Sequence, residues 1–248
     1  MYKRQVLDSV ILSYKVSEQV YLPTMLVLDA FVLSHTEEPV EVPPQSKVDE
    51  FLPPYNNPDV LRPGTPRVYG ALAMPDTYME FKYKMQKAME RAVDLIEEEG
   101  EKFYKIFGRK HGLLEEFMMD DADIILVTAG ATTSTARFVV KKLREEGKKV
   151  GLLKFRVLRP FPFKKLREIL LGRKKVAVLD RNISYGHHGA FYEEIKSALF
   201  GYKDAPMIFG YVAGLGGRDI TPSLIREIIE DVEKREEPGE IIWKGVRE

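Results

Sequence analysis

Apolar residues at Leu7, Val10, Ile11, Tyr14 and Val16 fall near helical spacing. They predict a helix over 7–20 that Pro23 ends. Met25 to Leu28 then reads as a short buried strand. A helix and one strand cannot bury their apolar faces alone, so this piece is expected to dock onto something or to have lost strands upstream. The uncapped Met1-to-Gln5 start favours the truncation reading. Residues 35–67 carry eight prolines: Pro39, Pro43, Pro44, Pro53, Pro54, Pro58, Pro63 and Pro66. Such density disfavours helix and central strand and predicts a semi-rigid linker between domains.

A long helix is predicted from Thr77 to Phe107, with Met85, Met89, Val93 and Ile96 as its apolar stripe. Asp76 or Thr77 is the expected cap, with Glu80 three residues after Thr77 as in a capping box. A shorter amphipathic segment runs from Gly112 to Met119. From Asp123 the pattern alternates. Strands are predicted at 123–128, 150–155, 176–179 and 207–212. Helices are predicted at 133–146, 163–171, 190–199 and 223–233, with Gly147, Gly172 and Gly201 just past three of them. Alternation of this kind implies right-handed crossovers and an α/β fold, a mostly parallel sheet with helices on both faces.

Composition removes several function classes. Lys plus Arg and Asp plus Glu both number 38, so zero formal charge gives no electrostatic case for nucleic acid or an anionic membrane. With no cysteine, thiolate catalysis and chain-held iron–sulfur clusters are excluded. Charged residues make up 31% of the chain, which fits a thermophile-like ion-paired surface as well as ordinary solvated helices. No apolar run is long enough for a transmembrane helix and no secretory signal is visible, so a cytoplasmic protein is expected.

Ligands of open parallel sheets gather at the carboxyl ends of strands, where four loops fall. In 128–133, small hydroxyl residues precede a helix; they could bind an anion, but helix capping alone explains them and is the favoured reading. In 156–162, Phe161 is placed to wedge into a core, and Arg159 to pair with an internal carboxylate or reach a partner. In 180–189, Asp180 and Arg181 precede His187 and His188, whose imidazoles suit acid–base work. Adjacent histidines usually diverge, so no metal site is expected, and a partner-facing loop is the plainer reading. In 214–221, Gly214, Gly216 and Gly217 resemble a phosphate cradle but lack both standard fingerprints. Arg218 and Asp219 are expected to form an ion pair and to face a neighbouring domain or subunit, with Thr221 capping the last helix and Pro222 at its first position. No catalytic residue is assigned. No Ser-His-Asp set or carboxylate pair is visible.

Seven segments taken in order resemble one family: LPTMLVLDAFVLSHTE (22–37), VDEFLPPY (48–55), FGR (107–109), DDAD (120–123), RPFP (159–162), VLDR (178–181) and GLGGRD (214–219). Together they resemble the alpha subunit of pyruvate:ferredoxin oxidoreductase and related 2-oxoacid:ferredoxin oxidoreductases, from about Val6 to Glu233. The resemblance implies the carboxyl-terminal edge of a pyrimidine-type thiamine-diphosphate domain at 1–36, the linker at 37–68, and a transketolase carboxyl-terminal-type domain at 69–248. It implies oxidative decarboxylation of a 2-oxoacid with coenzyme A, using thiamine diphosphate with Mg2+ and iron–sulfur clusters held by missing residues or by other subunits. Partners would be beta, gamma and delta-type subunits, with ferredoxin as electron acceptor. On this resemblance most of the first domain would be missing, including the glutamate that activates the cofactor, and no position here would inherit that role. Ala30 stands where the family more usually shows Gly. The chain would then supply a structural or interface domain of the alpha subunit, inactive alone. The alternative is an interaction module of a related enzyme using 2-oxoisovalerate or 2-oxoglutarate; a nucleotide-binding protein is disfavoured by the missing fingerprint.

Overall fold

The computed structural model describes residues 2–57, 59–70 and 72–247; Met1 and Pro58 of the readings above lie outside them. The chain forms two compact units. One contains the chain up to Val27 together with Glu38–Gly112; the other contains Leu28–Glu37 together with the chain from Leu113 onward. The division differs from the expected boundaries at 36 and 68, because the proline-rich stretch belongs to the first unit and residues 28–37 to the second.

The first unit is built from α1 (Tyr2–Val20), α2 (Gln45–Phe51) and α3 (Pro75–Phe107). Helix α1 does find cover within the chain. Ile11 and Leu12 pack with Phe51, Phe103 and Phe107, while Val16 and Val20 pack with Ala92 and Leu95. The expected linker therefore contains a helix: its prolines bracket α2, Pro44 before it and Pro53 after, without interrupting it. Phe51 is driven edge-on into Phe103 at 5.3 Å, and Phe103 stacks on Phe107 at 4.2 Å. The α3 stripe is rotated from the expected one. Ala92, Leu95, Glu99, Phe103 and Phe107 are buried, whereas Met85 is exposed. Its start is set by Pro75 at the first position with no side-chain cap, so neither Asp76 nor Thr77 caps it. Met25 to Leu28 is not a strand: Met25 is 86% and Val27 78% exposed.

One buried charge cluster ties this unit together. Asp8 of α1 is 1% exposed and takes a two-pronged interaction from Arg109, 2.8 Å to Nε and 2.7 Å to Nη2, with His111 Nε2 at 2.8 Å. Gly108, in the left-handed region at φ 71, turns the chain out of α3 so that Arg109 can reach back. The Phe107-Gly108-Arg109 motif is thus a core residue, a helix stop and an anchor in sequence.

The second unit has a six-stranded sheet in the order β1-β3-β2-β4-β5-β6. The strands are β1 (Leu114–Phe117), β2 (Ile124–Ala129), β3 (Val150–Phe155), β4 (Lys175–Asp180), β5 (Met207–Val212) and β6 (Ile242–Trp243). All neighbours are parallel except β1, which runs antiparallel to β3. The expected amphipathic segment at 112–119 is therefore an edge strand, and β6 was not foreseen. The crossovers are α4 (Thr132–Glu145), α5 (Phe163–Leu170), α6 (Ala190–Leu199) and α7 (Pro222–Lys234). Alternate strand residues face opposite layers. Leu126, Leu152, Leu179 and Tyr211 pack with Val139, Val140 and Leu143 of α4 and Ile225, Ile228 and Ile229 of α7. Ile125, Leu153 and Val178 of the other face are also buried, as are Leu166 and Leu170 of α5 and Ile195 and Leu199 of α6, the pair of helices that covers that side. Covering on both sides is why β2–β5 read as continuous apolar runs.

Candidate functional site

Strand order fixes where a site is to be sought. The chain steps from β2 to β3 on one side, then crosses to β4 on the other, so the sheet has a switch point between the carboxyl ends of β2 and β4. Crevices at such points receive ligands in open α/β sheets. Here the crevice receives the chain itself. Asp29 places its carboxylate on the backbone N–H of Ala131, at the start of α4, and Arg181 Nη1 after β4 approaches the same carboxylate at 3.4 Å. A Cβ on Gly130 would meet Asp29 Oδ2 at 2.3 Å, so glycine at φ 61 is required for this approach. The positive end of α4 thus has an internal anion. Two residues on, the Phe31 ring sits about one van der Waals contact from Gly217, 3.6 Å from where its Cβ would be.

The threonines of the 128–133 loop do not cap α4, as their type had suggested. Ala131 is the cap residue, Thr133 Oγ1 bonds Thr128 Oγ1 at 3.0 Å, and buried Thr132 Oγ1 has no hydrogen-bond partner. Asp29 performs the capping from 102 residues away. Sequence reasoning missed it because nothing local marks the pairing; the only available signal was its place within the Leu22-to-Glu37 segment.

Asp180 is 1% exposed and serves α6. It accepts from Phe191 N at 3.1 Å, Tyr192 N at 3.0 Å and Asn182 Nδ2 at 3.0 Å. Burial pushes its carboxyl up from the ordinary range, opposed by these three donors. Gly189 is required beside it, since a Cβ there would sit 2.3 Å from Asp180 Oδ2. Arg159 bonds Leu158 O and pairs with Glu194 of α6, the internal-carboxylate reading. Phe161 wedges in beside Phe155 and Phe163, at 5.5 and 4.9 Å between ring centroids. The adjacent His187 and His188 do not diverge as expected: both meet Glu193.

The glycine loop is a tight turn rather than a cradle. Gly214, Gly216 and Gly217 have φ of 75, 65 and 83. A Cβ on Gly214 would strike Ile220 at 2.7 Å and lie 3.1 Å from Arg181 Nε. Arg218 donates to Gly245 O and not to Asp219, so the expected ion pair is replaced by a clamp on the chain after β6. Both residues are exposed. Thr221 Oγ1 accepts from Leu224 N at 3.2 Å and Pro222 opens α7, as their types require. The structure therefore brings Arg181, Gly214 and Gly217 together around Asp29 and Phe31, and holds Arg159, Asp180, His187 and His188 along the start of α6. Two open clefts among the described residues lie elsewhere, one at the amino ends of β2–β4 beside Asp123 and Lys174, the other beside Tyr55 in the first unit.

A further unread group lies on the β1–β3 edge. Lys154, 4% exposed, and Arg137 share Glu115; burial pushes the Lys154 amine down despite that carboxylate.

The model of pyruvate flavodoxin/ferredoxin oxidoreductase, thiamine diphosphate-binding, matches residues 3–101, and that of pyruvate:ferredoxin oxidoreductase core domain II matches residues 122–225. Pyruvate synthase subunit PorA of Methanothermobacter thermautotrophicus is 47% identical over 99% of this chain and 63% of its own length. The same subunit of Pyrococcus furiosus is 42% identical over 98% and 63%. Ketoisovalerate oxidoreductase subunit VorA of Pyrococcus horikoshii is 42% identical over 96% and 61%. A solved 2-oxoglutarate:ferredoxin oxidoreductase from Magnetococcus marinus aligns over 68% of this chain and 27% of its own, at 19% identity and a TM-score of 0.45. The chain thus spans a little under two thirds of the curated relatives it matches. On two consecutive models of one family and on identity running nearly end to end, the chain belongs to the pyruvate:ferredoxin oxidoreductase family and is alpha-subunit-like.

Proposed function

We propose that this chain is part of a thiamine-diphosphate-dependent 2-oxoacid:ferredoxin oxidoreductase, acting as a structural and interface portion of its alpha subunit. The observation that carries the reading is identity above 40% over nearly the whole chain to subunits of pyruvate synthase. The reaction is oxidative decarboxylation of pyruvate with coenzyme A, giving acetyl-coenzyme A, carbon dioxide and reduced ferredoxin. Thiamine diphosphate, when bound, supplies the carbanion chemistry. At the carboxyl end of the sheet the positive end of α4 already carries Asp29, and a second anion there would meet like charge. Cysteine-held iron–sulfur clusters belong to other subunits, since this chain has no cysteine.

What the chain's own residues do is hold and present surfaces. Asp29, Arg181 and Gly214 lock residues 28–37 over the sheet. In the first unit, Tyr78, Met79, Phe81, Tyr83 and Met85 on the first half of α3 are each about half exposed or more. Apolar surface on this scale marks an interaction site, here one for beta, gamma or delta-type subunits. The presence of a VorA relative at similar identity keeps 2-oxoisovalerate as the second substrate to assay.

The test is viologen-dye reduction by the oxidoreductase assembled from the full-length subunit and its partners. Turnover dependent on both pyruvate and coenzyme A is expected. Its absence with pyruvate, 2-oxoisovalerate and 2-oxoglutarate alike contradicts the reading.

A further inference from the structure

The turn between β4 and α6 folds two adjacent imidazoles onto one carboxylate. His187 N–H bonds Ser184 O at 2.9 Å and Ser184 N–H bonds His188 O at 3.0 Å, with Gly186 at φ 74 closing the turn. Glu193, in the first turn of α6, lies between the rings: His187 Nε2 is 3.5 Å from its Oε2, and His188 Nδ1 touches its Oε1. One ligand atom from each of the three side chains lies within 4.8 Å of the others. The Tyr192 ring meets His188 edge-on at 5.5 Å and limits its rotation.

His188 Nδ1 and Glu193 Oε1 are both shut off from solvent and in contact with each other. Two imidazoles and a carboxylate converging in this way suit a shared cation. Ligand atoms about 2.0–2.1 Å from a tetrahedral metal lie roughly 3.3 Å apart, close to the 3.5 Å from His187 to Glu193.

We propose that His187, His188 and Glu193 form a binding site for a first-row divalent cation of the zinc type. Two imidazoles and one carboxylate are the donors that select such ions over Mg2+ or Ca2+. His187 is 58% exposed, and His188 and Glu193 about a third, so the fourth coordination position is open to water or to a ligand from a partner. The ion would pin the 181–189 loop to α6, next to the Arg181–Asp29 contact. The proposal stands independently of the oxidoreductase reading.

The test is titration of the tag-free full chain with Co2+, followed by competition with Zn2+. One equivalent of Co2+ with visible absorption of low coordination number is expected, displaced by Zn2+. His188→Gln and Glu193→Gln should each weaken binding about tenfold or more, while His35→Gln leaves it unchanged. In the unmutated chain, Co2+ should broaden the imidazole resonances of His187 and His188 and spare those of His35 and His111, a readout that needs no variant to fold. Absence of a saturable Co2+ spectrum, or broadening spread equally over the four histidines, overturns the site.

Discussion

Replacing Asp8 by Ala is expected to destabilise the first unit by about 3–5 kcal/mol, the range for breaking a buried ion pair on one side. The variant leaves Arg109 and His111 converging on a vacated, nearly dry position, where a charge without its partner is costly. Loss of a surface pair would cost under about 1 kcal/mol, so the size of the effect is itself diagnostic. Burial pushes the Asp8 carboxyl up, but hydrogen bonds and charge from Arg109 and His111 outweigh it and hold the group below the usual carboxylate range. The sign follows. A depressed folded pKa contributes stability that is fully present above the unfolded value of about 3.9 and is lost as pH falls through the folded one. The gap between wild type and Asp8→Ala in urea unfolding should therefore be widest near neutrality and narrow below about pH 4. A gap that widens in acid contradicts the assignment.

Asp180→Ala should lower the stability of the second unit by about 2–3 kcal/mol, roughly 5–10 °C in Tm. The carboxylate is the acceptor for two amides in the first turn of α6, and removal strands Phe191 and Tyr192 N–H beneath the loop. Asp180→Asn keeps one oxygen and should recover part of the loss. Gly189→Ala should act in the same direction by a different route, forcing the carboxylate off the helix end. Calorimetric scans of the three variants check this; an unchanged Tm for Asp180→Ala would mean that α6 is capped by something else.

The alternating half of the chain was legible because each of β2 to β5 is buried on both faces and each crossover helix has one apolar stripe. Long continuous runs and glycines such as Gly147 and Gly172 leave little freedom there. The first unit was harder. Helix α2 is seven residues long and hidden between prolines, and its warrant is tertiary: Phe51 against Phe103 and Phe107. The Met25-to-Leu28 run has strand-like composition but no pairing partner, so composition alone misled. Strand β6 is two residues long and exists because Ile242 and Trp243 lie beside Tyr211 and Val212.

The site was legible in its parts and not in its assembly. The four carboxyl-end loops were found, and Thr221, Pro222 and Phe161 do what their types require. What no local pattern carried was the occupant. Asp29 reaches Ala131 across 102 residues and Arg181 across 152, and Glu193 joins the histidines only once α6 has formed. Residues 28–37 of the first family segment meet segments 178–181 and 214–219 at one place in the second unit, through Asp29, Arg181 and the Phe31–Gly217 contact.

The carboxyl end of this sheet is filled by the chain's own Asp29–Phe31 segment. Amide hydrogen exchange tests it most directly, because the Ala131 N–H donates to Asp29 and should open only with the unit around it. A slowly exchanging Ala131 amide is expected, its protection unchanged by added coenzyme A or thiamine diphosphate with Mg2+ and lost in Asp29→Ala. Fast exchange in the unmodified chain that slows when either compound is added would contradict it.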